Sequence, residues 1–125
     1  MKDVLDFISR FKGSEDVFLY GCCYWFAFIL QSRFHEHGYL VDIFHEPIDG
    51  HFVARFLPEY LSNEEMVGVK SKFFDIRGDV THLYDESEME NVWVLEHTEP
   101  RRWGRLMCDC REFIEPDKYP AWLKS

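Results

Sequence analysis

Residues 17–32 read VFLYGCCYWFAFILQS and form the longest stretch of the chain without a charged residue. These sixteen residues are fewer than the roughly 20 that a helix needs to cross a membrane. A helix that is apolar on all sides is usually buried in a globular core. We therefore expect a buried central helix over residues 23–37, ended by Gly38, with Trp25 and Phe28 in the core.

The whole chain is short, apolar and acidic. It has 125 residues, 46% of them hydrophobic and 18% aromatic, which predicts one domain over residues 1–125 with one sizeable core. The net charge of −9 argues against nucleic-acid binding, because phosphate contacts need a basic surface, and against docking on anionic membranes. The expected partner is a peptide or protein substrate, or else a basic protein.

The chain begins with acidic residues and no apolar run of the kind that marks a secretory signal. Its four cysteines are Cys22, Cys23, Cys108 and Cys110. Without a signal, we expect a cytoplasmic protein whose thiols stay reduced, since disulfides belong to oxidising compartments.

The segments around the central helix predict an α+β fold in which this helix packs on an antiparallel sheet. The predicted elements are a helix over 3–12, a loop over 13–16, strands over 39–45, 51–56 and 70–76, a polar connection over 79–91 and a strand over 92–95. The Asp49-Gly50 pair predicts the turn between the first two strands. Residues from 100 onward suit either a helix or a strand.

The segment Gly21-Cys22-Cys23-Tyr24 places a cysteine where the central helix is predicted to begin. The first backbone N–H groups of a helix have no partner within the helix, and the helix dipole is positive there. Both effects favour the thiolate, which is the reactive form of cysteine. The same N–H groups can hold a developing oxyanion. Cys23 is therefore the candidate nucleophile, while Cys22 is expected to be structural.

A cysteine nucleophile needs a base and a group that orients the base. His51 begins the second predicted strand, and Asp75 lies near the end of the third. Adjacent strands can hold such residues side by side on one face, and we expect the helix bearing Cys23 to pack across that face. His45, at the end of the first strand, is the alternative base.

Three motifs in this order resemble the papain-like cysteine-peptidase superfamily, in particular its small NlpC/P60-like and transglutaminase-like members. They are Gly-x-Cys-Tyr over residues 21–24, His-Phe-Val-Ala over 51–54 and Phe-Asp-Ile-Arg-Gly over 74–78. The resemblance implies a papain-like core and the chemistry of a thiol protease or related hydrolase or acyltransferase acting on amide bonds, without a cofactor. It implies that Cys23 is the nucleophile, His51 the base and Asp75 the orienting group.

The chain departs from this family in three ways. It lacks the Asp-Cys-Ser-Gly string of typical NlpC/P60 members. Val17 stands six positions before Cys23, where papain-like enzymes carry the glutamine of the oxyanion hole, and Cys22 directly precedes the nucleophile. The alternative function is therefore a catalytically inactive papain-like module that binds a basic protein partner.

A zinc site is the alternative kind of functional site to consider. The candidate ligands are Cys22, Cys23, Cys108, Cys110, His35 and His37. Structural zinc sites usually repeat a pair of cysteines two to four residues apart, and an adjacent pair with a Cys-x-Cys does not match that spacing. We therefore expect no metal.

Overall fold

A computed structural model describes residues 2–19, 22–35, 38–58 and 71–112, the side chains of residues 17, 58 and 108–112 excepted. The helices are α1 (Lys2–Ser9), α2 (Glu15–Leu19), α3 (Cys23–Phe34), α4 (Val92–Thr98) and α5 (Pro100–Glu112). The strands are β1 (Tyr39–Glu46), β2 (His51–Pro58), β3 (Lys72–Asp75), β4 (Gly78–Asp79) and β5 (Glu90–Asn91). Two 3-10 turns, Thr81–Leu83 and Glu86–Glu88, connect β4 to β5.

The five strands form one sheet in the order β4-β3-β2-β1-β5, and every neighbouring pair is antiparallel. The predicted hairpin of β1 and β2 is confirmed. Its turn is closed by the Glu46 carboxylate, which accepts hydrogen bonds from the N–H groups of Ile48 at 2.8 Å and Asp49 at 2.7 Å. Gly50 completes the turn with φ 70°, a conformation that disfavours residues with a Cβ. The α+β class with an antiparallel sheet is as predicted.

Helix α3 packs on one face of the sheet, and alternate residues of each strand provide that face. In β2 they are Phe52, Ala54 and Phe56, which share a buried cluster with Phe26 and Leu30 of α3. A second, smaller cluster covers the opposite face of the sheet. It consists of Phe44, Val53, Phe73 and Val80, with Tyr84 and Met89 packed against it. The sheet is therefore buried on both faces.

The aromatic residues of the main cluster meet edge to face, the geometry that ring quadrupoles favour. Phe11 lies 4.8 Å from Phe26 between ring centroids, and Phe56 lies 5.1 Å from Phe74. The first pair joins the segment after α1 to α3, and the second joins β2 to β3. Aromatic packing thus holds the helix layer and the sheet together.

One part of the α3 prediction is wrong, because the helix is not buried on all sides. Phe26 is 1% exposed, whereas Phe28 is 43% exposed and Trp25 is half-buried. The exposed side of α3 carries a row of touching rings, with 5.4 Å between Tyr24 and Trp25 and 6.2 Å between Trp25 and Phe28. The apolar residues of α3 therefore occupy more of the helix surface than the sheet covers.

Two further predictions needed correction. Residues 13–16 were expected to form a loop, but α2 begins at Glu15. The Glu15 carboxylate accepts a hydrogen bond from the Gly13 N–H at 2.8 Å, and Phe18 anchors the short helix in the core.

Residues 92–95, predicted as a strand, form the first turn of α4. Asn91 caps this helix, because its Oδ1 accepts hydrogen bonds from the N–H groups of Trp93 at 2.9 Å and Val94 at 3.4 Å. The buried residues Val92 and Leu95 are three apart, which suits one face of a helix. The apolar content of these residues suggested a strand. The Asn91 cap and the three-residue spacing of the buried side chains favour a helix instead.

The residues after 100 were compatible with either a helix or a strand. Residues Pro100–Glu112 form the helix α5. It begins with Pro100, whose missing N–H costs nothing in the first turn of a helix. Trp103 and Met107 pack against the main cluster. Among the described residues, no helix combines the length and the apolar character that crossing a membrane requires. Residues 113–125 lie outside the described residues.

The unequal burial of two phenylalanines in α3 gives a stability prediction. Phe26→Ala should lower the free energy of unfolding by roughly 3–5 kcal/mol, the range for deleting a buried aromatic side chain. Phe28→Ala, in the same helix with the same change in propensity, should cost about 1 kcal/mol, since the ring is 43% exposed. Urea denaturation measures both, and equal losses would contradict the packing described above.

Candidate functional site

The three predicted site residues lie at the ends of three elements and meet at one end of the sheet. Cys23 is the first residue of α3, His51 the first of β2 and Asp75 the last of β3. The Nε2 atom of His51 lies 2.9 Å from Oδ2 of Asp75, and the Cys23 thiol is near enough to the His51 imidazole to raise the pKa of that ring. Because Nε2 is engaged by Asp75, Nδ1 is the ring nitrogen available to the thiol.

All three side chains are buried, but not equally. Asp75 is 3% exposed, while Cys23 and His51 are each 8% exposed. The carboxylate therefore lies deepest and the thiol is at the margin of the solvent. A small electrophile needs access to the sulfur and not to the carboxylate, so this gradient of burial suits a reactive cysteine.

The sequence-based expectation about the sheet face is wrong in one detail. We expected α3 to pack across the face that carries His51 and Asp75. In fact α3 contacts the face of Phe52 and Phe74, which are their immediate neighbours in sequence, so His51 and Asp75 belong to the opposite face. The contact with Cys23 is possible because His51 begins its strand and Cys23 begins its helix.

Cys23 lies in the first turn of α3, where the backbone N–H groups precede the first bond within the helix. The first bond within the helix runs from the Phe26 N–H to the Cys22 carbonyl at 3.2 Å, and no side chain of the described residues caps the helix. The N–H groups of the first turn therefore have no intrahelical acceptor. Cys22 is 1% exposed and belongs to the core, as the structural interpretation of this residue predicted.

Arg77 surrounds the Asp75 carboxylate with donors. Its backbone N–H donates to Oδ1 at 2.7 Å, and its Nε donates to Oδ1 at 3.2 Å and to Oδ2 at 3.0 Å. A terminal guanidinium nitrogen donates to Oδ2 at 2.5 Å. Because Arg77 follows Asp75 by two residues across the turn that Gly78 makes with φ 102°, one tight hairpin supplies both charges.

Tyr84 forms the wall of the site on the second face of the sheet. Its ring is stacked on the His51 imidazole, with 6.1 Å between centroids and 18° between the planes. Its hydroxyl accepts a hydrogen bond from Arg77 at 3.0 Å. The imidazole is thus held by a carboxylate at one nitrogen, by the thiol and by an aromatic ring.

Opposing effects act on the pKa of His51. Burial lowers the pKa of His51, but the hydrogen bonds to Asp75 and Cys23 and their negative charges outweigh burial and raise that pKa from 6.5 to about 9. A histidine whose pKa is raised by folding stabilises the fold most below its unfolded value of about 6.5. This stabilisation is lost as the pH rises through about 9.

Asp75 behaves in the opposite way. Burial raises the pKa of Asp75, but the hydrogen bonds from His51 and Arg77 reverse this and hold the pKa below its ordinary value of 3.8. The carboxylate therefore adds stability above the unfolded pKa, and this contribution is lost as the pH falls through the lower, folded value. In return, Asp75 raises the pKa of the Arg77 guanidinium further above its ordinary value.

His45, the alternative base, belongs to a different environment. Its ring packs on Phe52, with 4.7 Å between centroids, and its Nδ1 lies 3.5 Å from a carboxylate oxygen of Glu90. Neither ring nitrogen has a hydrogen-bond partner among the described residues. Burial lowers the pKa of His45, against the effect of Glu90. The hydrogen bonds that join the predicted site pass through His51 instead.

The structure brings together no three potential metal ligands within its described part. Neither Cys22 nor Cys23 forms a disulfide within the described residues. The side chains of Cys108, Cys110 and His37, the other ligands weighed for zinc, lie outside the described residues.

Sequence reasoning missed Arg77 and Tyr84 as parts of the site. Arg77 had a signal, because an arginine two residues after a buried aspartate and directly before a glycine can fold back on the carboxylate. Tyr84 had none, since it follows a 3-10 turn and reaches His51 only through the packing of the second face.

The chain was compared with protein-family models, with curated proteins and with solved structures, and none of them matches it.

Proposed function

We propose that this chain is a small thiol hydrolase or acyltransferase that acts on an amide bond through Cys23, His51 and Asp75. The observation that carries the proposal is the convergence of these three buried side chains: the His51 imidazole is bonded to the Asp75 carboxylate, and its pKa is raised by both Asp75 and the Cys23 thiol. An imidazole between a thiol and a carboxylate is the arrangement that activates cysteine nucleophiles.

In the first half of the reaction, the Cys23 thiolate forms an ion pair with the protonated His51 imidazole, and the thiolate sulfur attacks the carbonyl carbon of the amide. The new C–S bond forms a tetrahedral intermediate whose oxygen carries the negative charge. The C–N bond then breaks, and the imidazolium of His51 gives its proton to the departing amine. The product is a thioester on Cys23 and a free amine.

In the second half, His51 removes a proton from the second nucleophile. Water gives a carboxylic acid and completes a hydrolysis, whereas an amine gives a new amide and completes a transfer. In both cases the C–S bond breaks and Cys23 returns to its starting state. Each half passes through an oxyanion, which in this mechanism is stabilised at the start of α3, where the helix dipole is positive and the glutamine that Val17 replaces is absent.

Asp75 and Arg77 orient the base in this mechanism. Asp75 holds His51 through Nε2, which leaves Nδ1 as the nitrogen for the sulfur, and its negative charge stabilises the imidazolium. Arg77 fixes the carboxylate through three nitrogen atoms, which limits its rotation. We infer a papain-like core, supported by a cysteine at the start of a helix that packs on an antiparallel sheet bearing histidine and aspartate. A cytoplasmic location, where thiols stay reduced, suits this chemistry.

The alternative is an inactive module that binds a basic protein. The net charge of −9 favours it, because such a surface attracts a basic partner without any chemistry. The two functions differ in one property, which is whether the reactivity of Cys23 depends on His51.

The first test is the selectivity of alkylation. Brief treatment with iodoacetamide at neutral pH should modify Cys23 before Cys22, because Cys23 touches the His51 imidazole and is 8% exposed, whereas Cys22 is 1% exposed. Peptide fragmentation by mass spectrometry distinguishes the neighbouring residues, and Cys22→Ala and Cys23→Ala serve as matched controls. Faster modification of Cys22 would show that the nucleophile has been misassigned.

The second test is the pH dependence of that reaction. The His51 cation is present below about pH 9, so alkylation of Cys23 should persist well below pH 8.5. His51→Ala removes the cation and should lower the rate at pH 6.5 roughly tenfold or more, since an ordinary thiol with a pKa of about 8.5 is then only about 1% ionised. Asp75→Asn should have a smaller effect, because the imidazole remains.

A control separates the two histidines in the same measurement. His45→Gln should leave the rate at pH 6.5 close to that of the wild type, since His45 packs on Phe52 and lies beside Glu90. Superimposed pH profiles for wild type, His51→Ala and Asp75→Asn would refute the enzyme and favour the inactive module.

The third test concerns Arg77. Arg77→Gln should raise the pKa of Asp75, since it removes the guanidinium whose hydrogen bonds and positive charge hold that pKa below its ordinary value. The stability that the carboxylate provides would then be lost at a higher pH as the solution is acidified. An NMR titration of the Asp75 carboxyl carbon measures the shift. Tyr84→Phe is the matched control, because it removes only the hydroxyl that Arg77 contacts. An unshifted titration in Arg77→Gln would remove Arg77 from this role.

A further inference from the structure

A groove of about 230 Å³ is lined by residues of the β1–β2 turn and of the two 3-10 turns, together with Tyr84 and Met89. We call it the turn groove. Tyr84 lines it and is also stacked on the His51 imidazole. The turn groove therefore adjoins the proposed thiol site. Its volume is smaller than the roughly 300–1,000 Å³ of pockets for drug-sized ligands, so it suits a single side chain.

The lining of the turn groove includes apolar side chains that the fold leaves in solvent. Ile48, at the tip of the β1–β2 turn, is 87% exposed, and Leu83 is 51% exposed. Met89 is the third apolar residue of the lining. Exposed apolar residues that lie together in a concave surface often mark a binding site. They favour a ligand with a hydrocarbon portion.

Four carboxylates accompany these apolar residues, and the lining contains no lysine, arginine or histidine. Two of them are hydrogen-bonded within the fold. Glu46 closes the β1–β2 turn, and Asp85 accepts hydrogen bonds from the Ser87 N–H and hydroxyl. Asp49 and Glu88 form no ion pair among the described residues. The turn groove thus offers two unpaired negative charges beside its apolar surface.

A metal ion does not account for these carboxylates, because no three acidic, histidine or cysteine side chains in the described ranges converge as ligands. A long cationic side chain does. Lysine and arginine lay their methylene stems on apolar surface and keep the charged group at its rim, near carboxylates. The apolar residues and the flanking acids of the turn groove match those two parts.

We propose that the turn groove binds a lysine or arginine side chain of the peptide whose amide bond Cys23 attacks. This inference rests on the proposed function and names the substrate class of the same site. An extended peptide advances about 3.3 Å per residue, so the residue next to the one that carries the reacting carbonyl is within reach of a groove one aromatic ring away from His51. The chain is then selective for basic peptides.

The test uses three peptide chloromethyl ketones that alkylate Cys23 and differ in one side chain. They are acetyl-lysyl-glycyl, acetyl-norleucyl-glycyl and acetyl-glutamyl-glycyl chloromethyl ketone. Norleucine keeps the hydrocarbon stem of lysine without its charge. The lysyl reagent should react about tenfold faster than the norleucyl one, since each exposed ion pair contributes modestly. The glutamyl reagent should be the slowest. In 1 M NaCl the preference should shrink, because salt screens the carboxylates.

Variants connect the preference to the turn groove. Asp49→Asn with Glu88→Gln should bring the ratio of lysyl to norleucyl rates close to one, and Glu88→Gln alone should lower it part of the way. Glu96→Gln, which makes the same charge change at an exposed position of α4, should keep the wild-type ratio. The ratio compares two reagents on the same variant, so any change in the reactivity of the Cys23 thiol cancels.

Iodoacetamide, which has no side chain for the turn groove, separates the two proposals. If its reaction with Cys23 depends on His51 but the lysyl and norleucyl rates are equal, the turn groove proposal is overturned and the thiol site stands. A wild-type ratio in the double variant has the same meaning. If the reaction with iodoacetamide does not depend on His51, the thiol mechanism fails and the substrate assignment fails with it.

Discussion

The burial of one negative charge, that of Asp75, organises this end of the molecule. Its carboxylate is 3% exposed, and an ionised carboxylate without partners costs several kcal/mol in such a place. Arg77 and His51 supply the partners. Arg77 can do so only because the β3–β4 turn reverses the chain within two residues, and His51 only because the β1–β2 turn starts β2 there. The burial of this carboxylate therefore depends on both hairpins.

This arrangement has a consequence for the thiol. An imidazole that touches one fixed anion keeps its proton at neutral pH, and Cys23 lies next to that proton. Cys23 is also the first residue of α3, where the helix dipole is positive. The two influences come from different layers of the fold, one from the sheet and one from the helix. The contact between the helix layer and the sheet at this end is thus electrostatic as well as apolar.

Much of this could be predicted from the sequence. The β1–β2 hairpin follows from its alternating pattern and the Asp49-Gly50 turn, and the start of α3 follows from the apolar run after Gly21. The order of Cys23, His51 and Asp75 in the predicted elements was enough to suggest that they meet. The resemblance to papain-like enzymes and the function remain predictions.

Other features depend on contacts that sequence patterns do not encode. The helix over Val92–Thr98 was missed because its cap at Asn91 outweighs the β-propensity of its valines. The exposure of Phe28 was missed because the width of the covering sheet limits burial, whatever the composition of the helix. Tyr84 reaches His51 through tertiary packing, from 33 positions away in the chain.

The order of the strands also bears on self-association. The long strands β1 and β2 occupy the interior of the sheet, where their backbone groups are paired on both sides in part of their length, and the outer strands β4 and β5 each have two residues. A sheet edge joins another copy through a row of unpaired N–H and C=O groups, and a two-residue strand presents a very short row. The charge of −9 adds repulsion between copies. A chain this rich in phenylalanine therefore carries, in the brevity of its outer strands, a defence against edge-to-edge aggregation.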